Sequence, residues 1–134
     1  MLISTRGRYA LRVLIDLAEY EEDGYTPLKD IAGRQDISQK YMESIMTMLS
    51  KNKLVEGVHG KGGGYRLNRS PKDYSVGEIL RITEGTLAPV ACLERDAQPC
   101  PRAAGCRTLP LWDKLNDMIT GYLDSVSLAD LMKK

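Results

Sequence analysis

The stretch HGKGGGYR, residues 59–66, limits what this chain can fold into more than any other. Gly60, Gly62, Gly63 and Gly64 crowd around Lys61. Such a run suits neither a helix nor a central strand, because glycine loses much backbone entropy on ordering and offers nothing to pack. It does suit a tight reversal that needs positive φ. Leu54, Val55 and Val58 lead into it, and Tyr65 and Leu67 lead out. Two short strand-like pieces around a glycine turn predict a β-hairpin. A phosphate loop is excluded by context. That motif is GxxxxGK[ST] between a strand and a helix, whereas Lys61 precedes the glycines and a second strand follows them.

Upstream, the periodicity is helical. Ala10, Val13, Leu14 and Leu17 form a stripe that predicts a first helix from Ser4 to Glu22, broken by Gly24 and Pro27. Thr26 is the expected cap of a short second helix, which buries Leu28, Ile31 and Ala32 and stops near Asp36. Ser38 is the expected cap of a third helix ending at Asn52. Tyr41, Ile45, Met48 and Leu49 share its apolar side; Gln39, Lys40, Glu43, Ser44 and Thr47 share its polar side. Two short helices joined by a tight turn make a helix-turn-helix pattern. A hairpin directly after it makes the wing of a DNA-binding winged helix.

Downstream, YSVGEILRITEG reads as a fourth helix, with Ser75 and Glu78 forming a capping box and Gly85 ending it. A loop over 87–108 follows, then a long amphipathic helix from Pro110 to Ser125. Its apolar positions are Leu111, Leu115, Met118, Ile119, Tyr122 and Val126, and Ser127 caps a last short helix. The fold class expected is mostly α with a small β-hairpin wing: a winged helix-turn-helix plus a long C-terminal dimerisation helix. Residues 1–70 form the expected DNA-binding region, and 71–134 the helix, cysteine loop and dimerisation helix, packed with it as one unit. The long helix exceeds what a small winged helix needs for its own core. A second apolar surface on such a protein suits a two-fold homodimer, whose paired recognition helices match two DNA half-sites.

Charge agrees. Residues 24–70 hold eight Lys or Arg against four acids, while 71–134 hold eight against nine. The basic excess lies where the winged helix is expected. No apolar run approaches the roughly 18 residues of a membrane span, and the N-terminus lacks the layout of a secretory signal, so the expected location is cytoplasmic. Thiols stay reduced there. All three cysteines, Cys92, Cys100 and Cys106, lie in one loop, spaced C-x7-C-x5-C. That spacing is too wide for zinc-ribbon knuckles, yet an irregular loop can wrap three soft thiolates around one metal centre. An enzyme is not expected. The single histidine, His59, sits on the glycine turn, no triad or HExxH pattern includes it, and C-x-x-C is absent.

Taken together, STRGRYALRVLIDLA, DISQKYMESIMTMLSKNKLV, GKGGGYRL, VGEILRITEG, the LW pair at 111–112 and the closing SLADL resemble the Rrf-type family of bacterial transcription regulators over nearly all 134 residues. The resemblance implies a winged-helix homodimer whose long helices cross in the interface. It implies an iron–sulfur cluster, [2Fe-2S] or [4Fe-4S], held by Cys92, Cys100 and Cys106, and a regulator, expected to be a repressor, whose DNA affinity the cluster modulates. It also places Ser38, Gln39, Lys40, Tyr41, Glu43 and Ser44 at double-stranded operator DNA, with His59 and Lys61 at the wing tip and Arg8 beside the phosphates. The chain departs from family patterns at three points. One branch has a histidine where Leu109 stands, another an aspartate where Arg8 stands, and many members an arginine in place of His59. Glu94, Asp96, a partner-subunit group or an exogenous thiol or water are the remaining candidates for a fourth ligand. A further branch governs cysteine metabolism without a cluster, through thiol state or a cysteine-biosynthesis enzyme as partner.

Overall fold

The computed structural model describes residues 3–21 and 24–133. Six α-helices and one hairpin follow in order: α1 (Thr5–Glu19), α2 (Leu28–Gln35), α3 (Gln39–Lys51), β1 (Val55–Val58), β2 (Gly64–Leu67), α4 (Val76–Glu84), α5 (Leu109–Ser125) and α6 (Leu128–Leu131). No helix among the described residues is long and apolar enough to cross a membrane.

Helix α1 starts where the sequence indicates. Ser4 is its N-cap, its hydroxyl accepting from the Gly7 N–H at 3.0 Å. It ends at Glu19, earlier than the expected Glu22, which lies outside the described residues. Ser4 also ties α1 to the end of α4, its N–H and hydroxyl donating to the Glu84 carboxylate at 3.0 and 2.7 Å. Burial pushes the Glu84 carboxyl up, but the hydrogen bonds from Ser4 and Thr83 outweigh it and hold the group below its ordinary range. Gly7 permits this approach: a Cβ there would collide with Glu84 Oε2 and lie 3.0 Å from Thr83 Oγ1.

The stripe Ala10, Val13, Leu14 and Leu17 is buried, and Ile31, Ile45, Leu49, Tyr74, Ile79 and Leu128 close the core around it. One carboxylate sits within that stripe. Asp16 is 2% exposed and accepts from Arg34 Nε at 2.9 Å, Arg34 Nη2 at 2.7 Å and Gln35 Nε2 at 2.9 Å. A buried carboxylate is tolerable only with such a set of partners. The cluster fixes α2 against α1. Asp16→Ala removes the acceptor for Arg34 and for the Gln35 amide N–H and is expected to lower stability by about 2–3 kcal/mol in urea unfolding, toward the low end because Arg34 reaches solvent. A loss below about 0.5 kcal/mol, the range of ordinary surface changes, would contradict this role.

The turn between α2 and α3 is tight. Asp36 adopts φ 54°, its N–H bonding back to Ala32 and Gly33, and Ile37 inserts into the core. Ser38 then caps α3, accepting from the Tyr41 N–H. The buried face of α3 is Met42, Ile45, Met46 and Leu49. The sequence reading placed Tyr41 and Met48 there instead. Both only flank the core, because the helix is rotated so that the two flexible methionines fill its depth. The polar face is as expected, with Gln39, Lys40, Glu43, Ser44 and Thr47 exposed.

The hairpin is antiparallel, pairing Val55 with Leu67 and Val58 with Gly64. Thr26 does not cap α2, whose N-cap is Pro27 without a side-chain bond. It pairs instead with the hairpin, its N–H donating to the Tyr65 carbonyl at 2.8 Å and its carbonyl accepting from the Tyr65 N–H at 2.9 Å. This third segment anchors the wing to the helix-turn-helix.

Ser75 caps α4 through the Glu78 N–H, but the expected capping box is not completed. The Glu78 carboxylate pairs with both terminal nitrogens of Arg69 at 2.8 and 2.9 Å, a bidentate charged contact stronger than a bond back to the Ser75 N–H. A full capping box forms at α6, between Ser127 and Asp130. Helix α5 splits its apolar positions between two faces. Ile119, Leu123 and Val126 pack with Val76, Leu80 and Leu87. Leu111, Leu115, Met118 and Tyr122 are 59, 37, 62 and 68% exposed, one continuous apolar row facing outward.

Candidate nucleic-acid interface and cysteine loop

The exposed side of α3 and the tip of the wing border one cleft of about 560 Å³, lined among others by Thr47 and Ser50 from α3 and by Val58 and His59 from the hairpin. At the N-terminal end of α3, Ser38, Gln39, Lys40, Glu43 and Ser44 all face solvent, as do His59 and Lys61 at the wing and Arg8 on α1. The helix is held from behind by four buried side chains, so the exposed ones stand on a rigid support. The N-terminus of α3 directs its free N–H groups and positive dipole end outward beside Lys40. Tyr41 is half-buried and meets the Tyr9 ring edge-on at 5.8 Å, which steadies the first turn of α3 against α1.

Arg34 and Arg66 belong to the basic excess of residues 24–70 but are not free to meet phosphate. Arg34 is engaged by Asp16, and Arg66 pairs with Glu56 and lies over the Tyr25 ring. Lys40, Lys61 and Arg8 form no ion pair among the described residues. Arg12, which the sequence did not single out, bonds to the Gln35 carbonyl and side chain beside the Tyr9 ring. A cation on an otherwise apolar helix face was the available signal.

The loop between α4 and α5 carries two short 3₁₀ turns, Ala91–Leu93 and Ala103–Gly105. Cys92 and Cys100 are exposed, Cys106 is half-buried, and all three are free thiols. Cys106 Sγ lies 3.5 Å from Thr108 Oγ1. Hydrogen bonding from the Thr108 hydroxyl, and from the backbone there, lowers the Cys106 pKa and favours the thiolate. Every hydrogen bond within residues 90–108 joins near neighbours in sequence. Among the described residues, no three Cys, His, Asp or Glu side chains converge on a metal-sized space. The donors fit a soft metal centre in kind, being free of disulfides, reachable and one of them acidified. Their gathering requires the loop to close, and only local bonds oppose that.

Comparison with known proteins decides the family. A family described as "Rrf2: Iron-dependent Transcriptional regulator" matches residues 3–134. The chain belongs to the Rrf2 family. It is a DNA-binding transcriptional regulator of that family, and its relatives are named regulators rather than enzymes. The Rrf2 member "HTH-type transcriptional regulator IscR" of Photorhabdus laumondii is 37% identical over 132 residues, 98% of this chain and 79% of the relative. Among solved structures, CymR (YrzC), described as the global cysteine regulator of B. subtilis, superposes with a TM-score of 0.79 at 36% identity, covering 98% of this chain and 95% of that one. T. potens IscR gives 0.76 at 35%, covering 98% and 85%. The likeness to these Rrf2 structures covers 98% of the chain.

Proposed function

We propose that this Rrf2 protein is a cytoplasmic homodimer that presents two α3 helices and two wings to operator DNA as a repressor, its affinity modulated by an iron–sulfur cluster on the cysteine loop. The observation that carries the reading is the cleft shared by the polar face of α3 and the wing. Residues 1–70 make the DNA-contacting region; residues 71–134 supply the loop and the dimer helix. Ser38, Gln39, Lys40, Glu43 and Ser44 enter the major groove, Glu43 accepting from a cytosine amino group and repelling phosphate where that base is missing. Tyr41 sets the helix and lies at the groove edge. His59 and Lys61 approach the minor groove, and Arg8 neutralises phosphate.

Cys92, Cys100 and Cys106 hold the cluster, and when bound it supplies an oxygen- and redox-sensitive tie between three points of the loop. Leu109 cannot serve as a fourth ligand, so Glu94, Asp96, a partner-subunit group or an exogenous donor completes the set. The loop sits between α4 and α5, so its closure biases α5 and, through the dimer, the spacing of the two recognition helices.

Anaerobic purification is expected to give brown protein with visible sulfur-to-iron absorption and stoichiometric iron and sulfide. Replacing all three cysteines with alanine abolishes the colour and shifts operator affinity or promoter selectivity by about tenfold or more, within the usual range of allosteric coupling. Colourless wild-type protein, or a triple variant with unchanged affinity and selectivity in the presence of iron, defeats the cluster switch.

The likeness to CymR supports a second reading. In it the three accessible thiols act without a cluster, through thiol state or by docking a cysteine-biosynthesis enzyme. Colourless protein whose operator binding responds to thiol oxidation or to that enzyme would favour it.

A further inference from the structure

A second cavity, of about 450 Å³, lies where α4, α5 and the start of the cysteine loop meet. Arg81, Thr86, Leu87, Leu93, Arg95 and Asn116 are among the residues that line it, with Thr120. We propose that it is a binding site for a small organic carboxylate with a short apolar body.

The lining carries the charge argument. Two guanidinium groups border the cavity and no carboxylate does. Arg81 is held by Asp124, its terminal nitrogens 2.7 and 3.0 Å from the two carboxylate oxygens. Gly77 makes room for that pair, since a Cβ there would collide with Asp124. Arg95 has no hydrogen bond or ion pair among the described residues. The cavity thus holds about one uncompensated positive charge, borne by a residue type whose planar fork matches a carboxylate. The remaining lining is mixed. Leu87 is buried and Leu93 half-buried, and both contribute apolar lining. The Thr86 hydroxyl accepts from the Ala88 N–H at 3.1 Å and keeps its own proton to donate. Apolar contacts beside a few convergent polar groups suit a small amphipathic ligand, and the volume falls in the range of small-molecule sites. An inorganic dianion would leave the apolar lining of Leu87 and Leu93 without a partner.

A dimer formed through the outward row of α5 would leave the α5 wall of the cavity uncovered. At 3.6 residues per turn, Asn116 and Thr120 lie roughly 150° around α5 from the row Leu111, Leu115, Met118 and Tyr122. The outward apolar row and the cavity wall are therefore nearly opposite faces of one helix. Leu93 and Arg95 directly follow Cys92, so a bound carboxylate fastens the near limb of the cysteine loop to α4 and α5. The regulatory consequence of that fastening rests on the switch proposed above; the binding does not.

The test is a titration of full-length ¹⁵N-labelled protein with isovalerate, the neutral isovaleramide and inorganic phosphate, up to about 20 mM, a range that captures weak millimolar binding. Isovalerate is expected to cause saturable shifts at Leu93, Arg95, Asn116 and Thr120 while Ser44 stays still. Isovaleramide is expected to cause none. Arg95→Gln, at an exposed position that does not endanger folding, weakens isovalerate binding by roughly tenfold or more. No saturable response to isovalerate, an equal response to the amide, tighter binding of phosphate, or unchanged affinity in R95Q would each overturn the proposal. Operator binding by the same preparation, measured separately, reports on the DNA reading, and its failure would leave the carboxylate result standing.

Discussion

Replacing Met118 and Tyr122 together with glutamate is expected to convert the protein to a monomer and to weaken operator binding by about a hundredfold or more. Met118 and Tyr122 are 62 and 68% exposed and contribute little to the chain's own core. Their neighbours on the other face, Ile119 and Leu123, continue to hold α5 onto α4. Helix content measured by circular dichroism should therefore stay the same, while light scattering reports half the mass. The loss of affinity follows because two linked half-site contacts become one, and effective concentration ordinarily supplies a factor of about 10² to 10⁴. A variant that remained dimeric, or a monomer that bound the operator as tightly as wild type, would remove α5 from the account of dimerisation.

Gly64→Val is expected to destabilise the protein by about 3 kcal/mol and to dislodge the wing. Two independent penalties coincide at this residue. Its φ of 148° is one that L side chains rarely adopt, and a Cβ would run into the Thr26 carbonyl, the group that accepts from the Tyr65 N–H. Relieving the collision means giving up the Thr26–Tyr65 pairing that ties the hairpin to the helix-turn-helix. Urea unfolding should show the loss, and the Tyr65 amide should lose its protection against hydrogen exchange. Gly105→Ala is the control. Its site has no positive φ and nothing within 4 Å, so a change within about 0.5 kcal/mol is expected. A Gly64 variant as stable as that control would show that the wing is not anchored through Thr26.

The features legible in the sequence were those set by neighbours along the chain. The start of α1 near Ser4, the caps at Ser38, Ser75 and Ser127, the stripe of α1, the polar face of α3 and the glycine turn each depend on a few adjacent residues, and each forms. The misses required partners distant in sequence. Thr26 resembles a helix cap until a strand some 40 residues later claims its backbone. Glu78 resembles half a capping box until Arg69 takes its carboxylate. Asp16 was hidden within an apolar stripe, though a carboxylate at such a position signals a buried pair. The apolar positions of α5 fit one amphipathic helix, and no pattern within it distinguishes the residues covered by α4 from those facing out. At the candidate site, the exposed row Ser38 to Ser44 was readable because α3 is regular. Removing Arg34 and Arg66 from the set of free cations required Asp16 and Glu56 in place. The cysteines share a loop in sequence, but their geometry depends on a segment held by local bonds alone.

The most direct measurement is fluorescence anisotropy of a labelled duplex from the promoter of the protein's own gene, titrated at salt concentrations from about 50 to 200 mM. On the proposed reading, the unpaired cations Lys40, Lys61 and Arg8 of two subunits would displace counterions from about six phosphates in and beside the grooves. The expected result is saturable binding of one dimer per site, with log affinity falling against log salt at a slope near −5. Absence of saturable binding at the low-salt end, with and without iron, or binding as a single subunit, would contradict the claim that twin α3 helices and wings read DNA.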